Sequence, residues 1–275
     1  MKEIEIKSIH DIPEQVSRLQ KKKTNLEKLV WRGQPDYEYD ICPKLHRKKS
    51  WLKNEFYMIE ELKRRKPESF KHCKSRFEEL SICQHYGLPT RLLDLSENPL
   101  IALYFACKST EKEKEKDGEI IPFQDRPLNY WDTRVNCICF FSEILIEKIL
   151  IESFYNELKA KHNKLLDKKT KDLITVSIKT DQALTIFPVI NNDRLMIQQG
   201  VFLIFSANVD KDHKYFIKDT SNINKDLYKK NGVRFRIHKR YKDNILKELK
   251  FYGITKARLF PEIEYQCSDI KNSYS

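Results

Sequence analysis

From Leu100 to Ala106 the chain reads LIALYFA, apolar or aromatic at every position, and this segment constrains the fold more than any other. A helix with no polar face has to be enclosed by the rest of the protein. Pro99 suits the first helical position, where a missing N–H costs nothing, and Asn98 before it is a good N-cap. The helix start, beside Ser96 and Glu97, is expected to point into a cleft, with free N–H groups and the positive end of the helix dipole. Upstream, Gly87 supplies a turn, and Leu88 before Pro89 is expected to be extended. Arg91 and Asp94 lie among Leu92, Leu93 and Leu95, so burial should leave them paired or hydrogen-bonded. Such a pair either braces the turn or takes part in ligand binding.

Composition narrows the class. The 275 residues, 40% hydrophobic and 11% aromatic, are enough for a sizeable globular core. No apolar run approaches the roughly 20 residues that span a bilayer. The opening MKEIEIKSIHDIPEQ lacks an apolar signal core, so a cytoplasmic location without membrane association is expected. The 7 cysteines fall at 42, 73, 83, 107, 137, 139 and 267, with no Cys-x-x-Cys pair. That spacing excludes a simple zinc ribbon or thioredoxin motif; free thiols are the reading, and no metal is expected. Net charge is +12, which invites nucleic acid or another polyanion as partner. Because 38 of the 52 basic residues are Lys and only 14 are Arg, the charge does not name that partner.

Periodicity predicts helices over 11–29, 54–65, 69–84, 99–108, 143–160 and 244–252, the last closed by Gly253. Strands are predicted at 29–33, at 135–141, across a strand-rich part at 172–206, and at 233–237 after an Asn231-Gly232 turn. In the 135–141 strand, Cys137 and Cys139 would share one face. The charge run 111–117 with Pro122 and Pro127 reads as an exposed, irregular insertion near 109–134. The tail after Tyr265 reads as frayed. The organisation expected is an N-terminal helical segment (1–30), one domain (31–265) and a flexible tail (266–275). The fold class is α+β, one domain with a mixed, mainly antiparallel sheet.

The chain has only 6 glycines, and three of them close polar or aromatic motifs: Trp31-Arg32-Gly33, His85-Tyr86-Gly87 and Gln198-Gln199-Gly200. Arg32 at a strand end suits a bidentate grip on phosphate or carboxylate. His85 suits an acid, a base or an orienting hydrogen bond, and Gln198 suits a ribose hydroxyl. His85 and Gln198 are equally consistent with structural hydrogen bonding. There is no P-loop, no Gly-x-Ser-x-Gly elbow, no His-Glu-x-x-His and no GxGxxG.

WRGQ at 31–34, QHYGLPTRLLDLSENPLIALYFAC at 84–107, NDRLMIQQGVFLIF at 192–205 and GITKARLFPEIE at 253–264 together resemble the FRG domain, a family named for an aromatic-Arg-Gly motif. Trp31 stands where Phe or Tyr is usual, and Leu95 where Trp is common. More distantly, the order of parts is similar to ADP-ribosyltransferases of the Arg-Ser-Glu type. That resemblance implies an ADP-ribosyltransferase-like fold and a cleft for NAD as cofactor. Arg32, Gly33, Thr90, Arg91, Ser96 and Asn98 would line the cofactor side. Gln198, His85 and Asp94 would stand at the reacting end. Gln198 falls where that type carries its catalytic Glu, and an amide cannot serve as a carboxylate base. Asp94, Glu97 or Asp193 would then have to supply the carboxylate. The resemblance implies an NAD-using transferase or glycohydrolase of toxin or defence type; the alternative is a non-catalytic module binding a nucleotide or nucleic acid.

Overall fold

The computed structural model describes residues 2–21, 24–161, 183–205, 207–209, 212, 214–216 and 233–274. Its strands are β1 (Lys2–Glu5), β2 (Lys28–Gln34), β3 (Leu92–Ser96), β4 (Gly118–Asp125), β5 (Leu128–Asn129), β6 (Lys148–Leu150), β7 (Leu184–Phe187), β8 (Gly200–Ile204), β9 (Asn208–Val209), β10 (Lys214–Phe216) and β11 (Val233–Ile237). Its helices are α1 (Asp11–Gln20), α2 (Lys49–Lys53), α3 (Glu55–Arg65), α4 (Pro67–Phe70), α5 (Arg76–His85), α6 (Pro99–Cys107), α7 (Thr133–Phe140), α8 (Ile151–Lys161), α9 (Asp193–Ile197), α10 (Lys239–Phe251), α11 (Lys256–Leu259) and α12 (Ile263–Ser273).

Among the described residues an 8-stranded sheet runs in the order β1-β11-β4-β2-β3-β8-β7-β5, and β6, β10 and β9 form a small second sheet. The β1–β11 and β5–β7 pairs are parallel and all others antiparallel, so the fold is α+β with a mixed, mainly antiparallel sheet. Side chains alternate between the two faces of a strand. One face carries Trp31, Ile120 and Phe235 under α6, and Leu92, Phe202 and Ile204 under α5 and α7. The other carries Val30, Leu93, Leu95, Ile121, Val201 and Leu203.

Helix α6 is buried as its composition requires, with Asn98 Oδ1 accepting from the Leu100 N–H at 2.9 Å. It lies unusually close to β2 and β4. A Cβ at Gly33 would overlap the Ala102 carbonyl, and one at Gly118 would overlap that of Ala106. Glycine on the strands and alanine on the helix together permit this approach, which explains the glycine in Trp31-Arg32-Gly33 by packing alone. At the far end of the chain Gly253, with φ of 73°, ends α10.

Several expectations are corrected. Residues 135–141 are helix α7 rather than a strand. Asp132 caps it, its Oδ1 accepting from Arg134 N at 2.9 Å, and Cys137 and Cys139 are both enclosed. A short continuous apolar run is compatible with buried helix or strand, and the cap decides. The 109–134 region is not all exposed insertion: the charged turn around 110–116 projects and Arg126, Asn129 and Trp131 are exposed, but β4 between them is a central, buried strand. Pro122 is tolerated there because it lies beyond residues 118–120, the stretch that pairs with β11. The chain begins with a parallel strand, β1, before α1, which ends at Gln20 rather than near 29. The helical stretch expected at 69–84 is divided between α4 and α5. Residues 148–150, expected inside a helix, are β6, and α8 starts only at Ile151. The residues after Tyr265 continue α12, held by Gln266 Nε2 donating to the carbonyls of Ala257 at 2.7 Å and Phe260 at 3.0 Å. The Asn231-Gly232 turn and residues 172–182 of the expected strand-rich stretch lie outside the described residues.

Candidate functional site

Two helical groups, α6 with its neighbours and α5 with α7, cover the same face of the sheet, and the cleft is the gap between them. Over this gap Asp94 is exposed in a strand whose other residues are all buried. Strands β2 and β3 are joined by the single register pair Trp31–Ser96. Beside that junction Arg32 reaches across, its Nη1 donating to the Asp94 carbonyl at 2.9 Å. The resulting cavity, about 260 Å³, is lined by Trp31, Arg32, Gly33, Asp94, Ser96 and Gln198, with Ile101 and Phe105 from α6 and with Lys108 and Arg194. A narrow neck of about 40 Å³ adjoins it, sharing Asp94, Arg194 and Gln198 and adding Gln84 and His85.

Arg32, Gly33, Asp94, Ser96 and Gln198 thus meet in one cleft, with His85 in its neck. Thr90, Arg91 and Asn98 lie elsewhere. Arg91 is completely buried and forms a two-pronged pair with Glu55, its Nε donating at 2.8 Å to Oε1 and its Nη2 bonding Oε2; Nη1 donates to the Phe205 carbonyl at 3.3 Å. The expected Arg91–Asp94 pair is therefore corrected: Arg91 braces α3 against the sheet, and Asp94 faces the cleft, accepting from Gln84 Nε2 at 3.0 Å. Thr90 Oγ1 donates to Gln84 Oε1 at 2.7 Å and accepts from Leu92 N, so it orders Gln84 from behind. Asn98 is consumed as the α6 cap. The start of α6 does not offer free N–H groups to the cleft, because Leu100, Ile101 and Ala102 all donate to Asn98. The flank of the helix, not its end, forms the wall.

Ser96 and Gln198 hold the cleft floor. Ser96 Oγ donates to the Gln198 carbonyl at 2.7 Å and accepts from Asn98 N at 3.0 Å. Gln198 Nε2 donates to the Leu259 carbonyl at 2.8 Å, which ties the start of β8 to α11. Next to it Gln199 adopts a left-handed backbone, φ 46°, and accepts from Glu97 N at 3.0 Å.

Three residues of the site were not singled out in the sequence. Lys108 directly follows α6, its ammonium 4.8 Å from the centre of the Phe260 ring. Arg194 lies over the same ring at 4.6 Å. Glu262 Oε1 is 3.5 Å from Arg194 Nη1 and 4.0 Å from His85 Nε2. Burial holds the Lys108 ammonium below its usual 10.5, helped by the charges of Lys256 and Arg194. His85 is held below its usual 6.5, first by burial, then by Arg194, with Glu262 opposing; it is neutral at pH 7. The one available signal was position: Arg194 and Glu262 sit inside NDRLMIQQG and GITKARLFPEIE, motifs that carried the resemblance without an assigned role.

Among the described residues no group of three His, Cys, Asp or Glu side chains could hold a metal, and no helix is long and apolar enough to cross a membrane. All seven cysteines are free, and burial raises the thiols of Cys83, Cys107 and Cys137 to about 12. Cys83, Cys107 and Cys137 are packing groups rather than nucleophiles.

The architecture defines a mixed α+β domain with a cation-lined cleft beside a sparsely joined pair of central strands. Residues 27–115 match the FRG domain, so that part of the chain carries an FRG domain. The match runs from just before β2 to the charged turn before β4, and so includes Arg32, Gly33, Asp94, Ser96 and Lys108 while leaving Arg194, Gln198 and Glu262 outside it. No curated protein and no solved structure matches the chain.

Proposed function

We propose that the cleft binds a nucleotide through its phosphate. The observation that carries this is the charge of the lining: Arg32, Lys108 and Arg194 approach from three different parts of the chain, against Asp94 as the single carboxylate among the described lining residues, with Glu262 pairing Arg194 at 3.5 Å. Lys108 and Arg194 also share the Phe260 ring, so two cations are held near each other in a partly desolvated place, an arrangement that an anion relieves. Phe105 and Ile101 supply an apolar flank for a base or ribose. At about 260 Å³ the cavity is at the small end for ligand pockets, which fits a mononucleotide better than a whole dinucleotide.

Calorimetric titration with AMP, ADP and adenosine tests the reading. A charge-assisted hydrogen bond contributes about 1.5–3 kcal/mol, so AMP and ADP should bind roughly ten- to a hundredfold more tightly than adenosine. Lys108→Ala should remove most of that difference. Equal affinity for AMP and adenosine, or no binding of any of them, would refute it.

A second reading, an NAD-using ADP-ribosyltransferase-like enzyme of toxin or defence type, is favoured by one observation: Arg32, Ser96 and Gln198, distant in sequence, line one cleft. NAD would place its pyrophosphate at Arg32 and Arg194. Incubation with labelled NAD, alone and with cell extract, tests it; no nicotinamide release and no label transfer would count against it.

A further inference from the structure

We infer that the nucleotide in the cleft belongs to a single-stranded nucleic acid, whose neighbouring nucleotides lie along a second, larger hollow on the same face. This rests on the cleft's binding a phosphate-bearing nucleotide. The hollow measures about 770 Å³, roughly three times the cleft. It is not a separate site. The neck shares Asp94, Arg194 and Gln198 with the cleft, and shares His85 and Asn192 with the hollow, so the three form one trough.

The lining of the hollow suits a phosphate-linked chain with flat bases. Lys71 and Lys74 lie along it against one carboxylate, Glu78. Glu78 is already engaged, accepting from Lys74 N at 3.0 Å and from the Ser75 hydroxyl at 3.3 Å at the start of α5. The Lys71–Glu68 contact, 3.6 Å and highly exposed on both sides, is the kind of surface pair that contributes almost nothing and yields readily to a phosphate. Tyr86 is 69% exposed although it borders a cavity, and its ring is set edge-on against His85 at 4.7 Å between centroids. Tyr130 supplies a second ring. Tyr130 is partly buried against the core, so Tyr86 is the exposed ring, and an exposed aromatic ring beside cations is what single strands stack on and track along, without sequence preference. An acidic peptide would use the cations but leave the ring idle. The net charge of +12 favours a polyanion over an isolated nucleotide.

The test is fluorescence anisotropy with 3′-labelled, 5′-phosphorylated oligo(dT) and oligo(U) of two to twelve nucleotides, alongside AMP calorimetry on the same protein. Affinity should climb with length over the first few nucleotides and fall with salt. Tyr86→Ala, at an exposed position outside the cleft, should weaken the six-nucleotide strands roughly five- to a hundredfold while leaving AMP binding unchanged. Lys74→Glu should act in the same direction. AMP binding without any gain from added nucleotides, or strand affinity unaffected by Tyr86→Ala, overturns this inference and leaves the cleft reading intact. Competition by poly-glutamate as effective as that by oligo(dT) also overturns it. Loss of AMP binding itself in the unaltered protein overturns the cleft reading.

Discussion

Arg91→Ala should be among the most destabilising single changes in the protein, with its cost falling on folding rather than on ligand binding. Arg91 and Glu55 are both completely buried and face each other through two parallel contacts, one of them 2.8 Å. Removing the guanidinium strands a carboxylate in the interior, which costs about 3–5 kcal/mol. It also leaves the Phe205 carbonyl without the donor now at 3.3 Å, adding about 1 kcal/mol. Against a total stability of about 5–15 kcal/mol for a domain, that is about a quarter of the reserve or more. The paired change Arg91→Met with Glu55→Leu removes both charges while keeping apolar volume, and should lose less than the single change. Urea unfolding of the wild type, Arg91→Met, Glu55→Leu and the double variant, followed by intrinsic fluorescence, reads the cycle, with Arg91→Ala measured alongside. If Arg91→Ala unfolds within about 0.5 kcal/mol of wild type, the brace is an illusion of proximity. If it also abolishes nucleotide binding while folded, Arg91 belongs to the site after all.

Two further expectations follow from packing and charge. Gly33→Ala should force β2 and α6 apart, because the Cβ meets backbone on Ala102 and Ala106 rather than a movable side chain; a loss above the usual 1–3 kcal/mol of overpacking is expected by thermal or urea unfolding, and near-neutral stability would refute the close contact. His85 has its folded pKa depressed below the usual 6.5, so the unfolded chain binds the proton more readily; stability should therefore fall as pH drops through about 6.5 and level off once the folded value is passed, and His85→Gln should flatten that slope in pH-dependent urea unfolding. An unchanged slope in the variant would refute it.

What was legible in the sequence was local and periodic. The cap-and-proline start of α6, the strand around Arg32, the helix ending at Gly253 and the convergence-prone motifs with Arg32, Ser96 and Gln198 could all be read from neighbouring residues. Pairing choices were not. Nothing near Arg91 distinguishes Glu55, 36 positions away, from Asp94 as its partner. The sequence also hid Lys108, Arg194 and Glu262, because each gains its meaning from Phe260 or His85, which are near it only after folding. For α7 the obstacle was different: a short, mostly apolar run suits a buried helix or strand alike, and the Asp132 cap marks it as a helix.

Gln198 stands where the distant resemblance calls for a carboxylate, and its surroundings give a reason for the amide. Its Nε2 donates to the Leu259 carbonyl at 2.8 Å, and its backbone carbonyl receives the Ser96 hydroxyl at 2.7 Å, so the residue links β3, β8 and α11 at the base of the cleft. An ionised carboxylate has no proton to give and would face the Leu259 carbonyl with like polarity. Gln198→Glu should therefore lose about 1–3 kcal/mol at pH 7 rather than restore catalysis. The pH dependence gives the argument a sharper edge. Once protonated, the new acid can donate where the amide did, so its folded pKa should lie above the ordinary value of about 4.3. A group raised in this way favours folding below its unfolded pKa and loses that support as pH rises through its folded pKa, so the deficit relative to wild type should shrink as the solution is acidified toward pH 4. Urea unfolding of both proteins between pH 4 and 8, with nicotinamide release measured in parallel, decides the matter. A Gln198→Glu protein as stable as wild type at pH 7 that also turns over NAD would show that the position is a carboxylate slot occupied by an amide, and that the link to Leu259 is incidental.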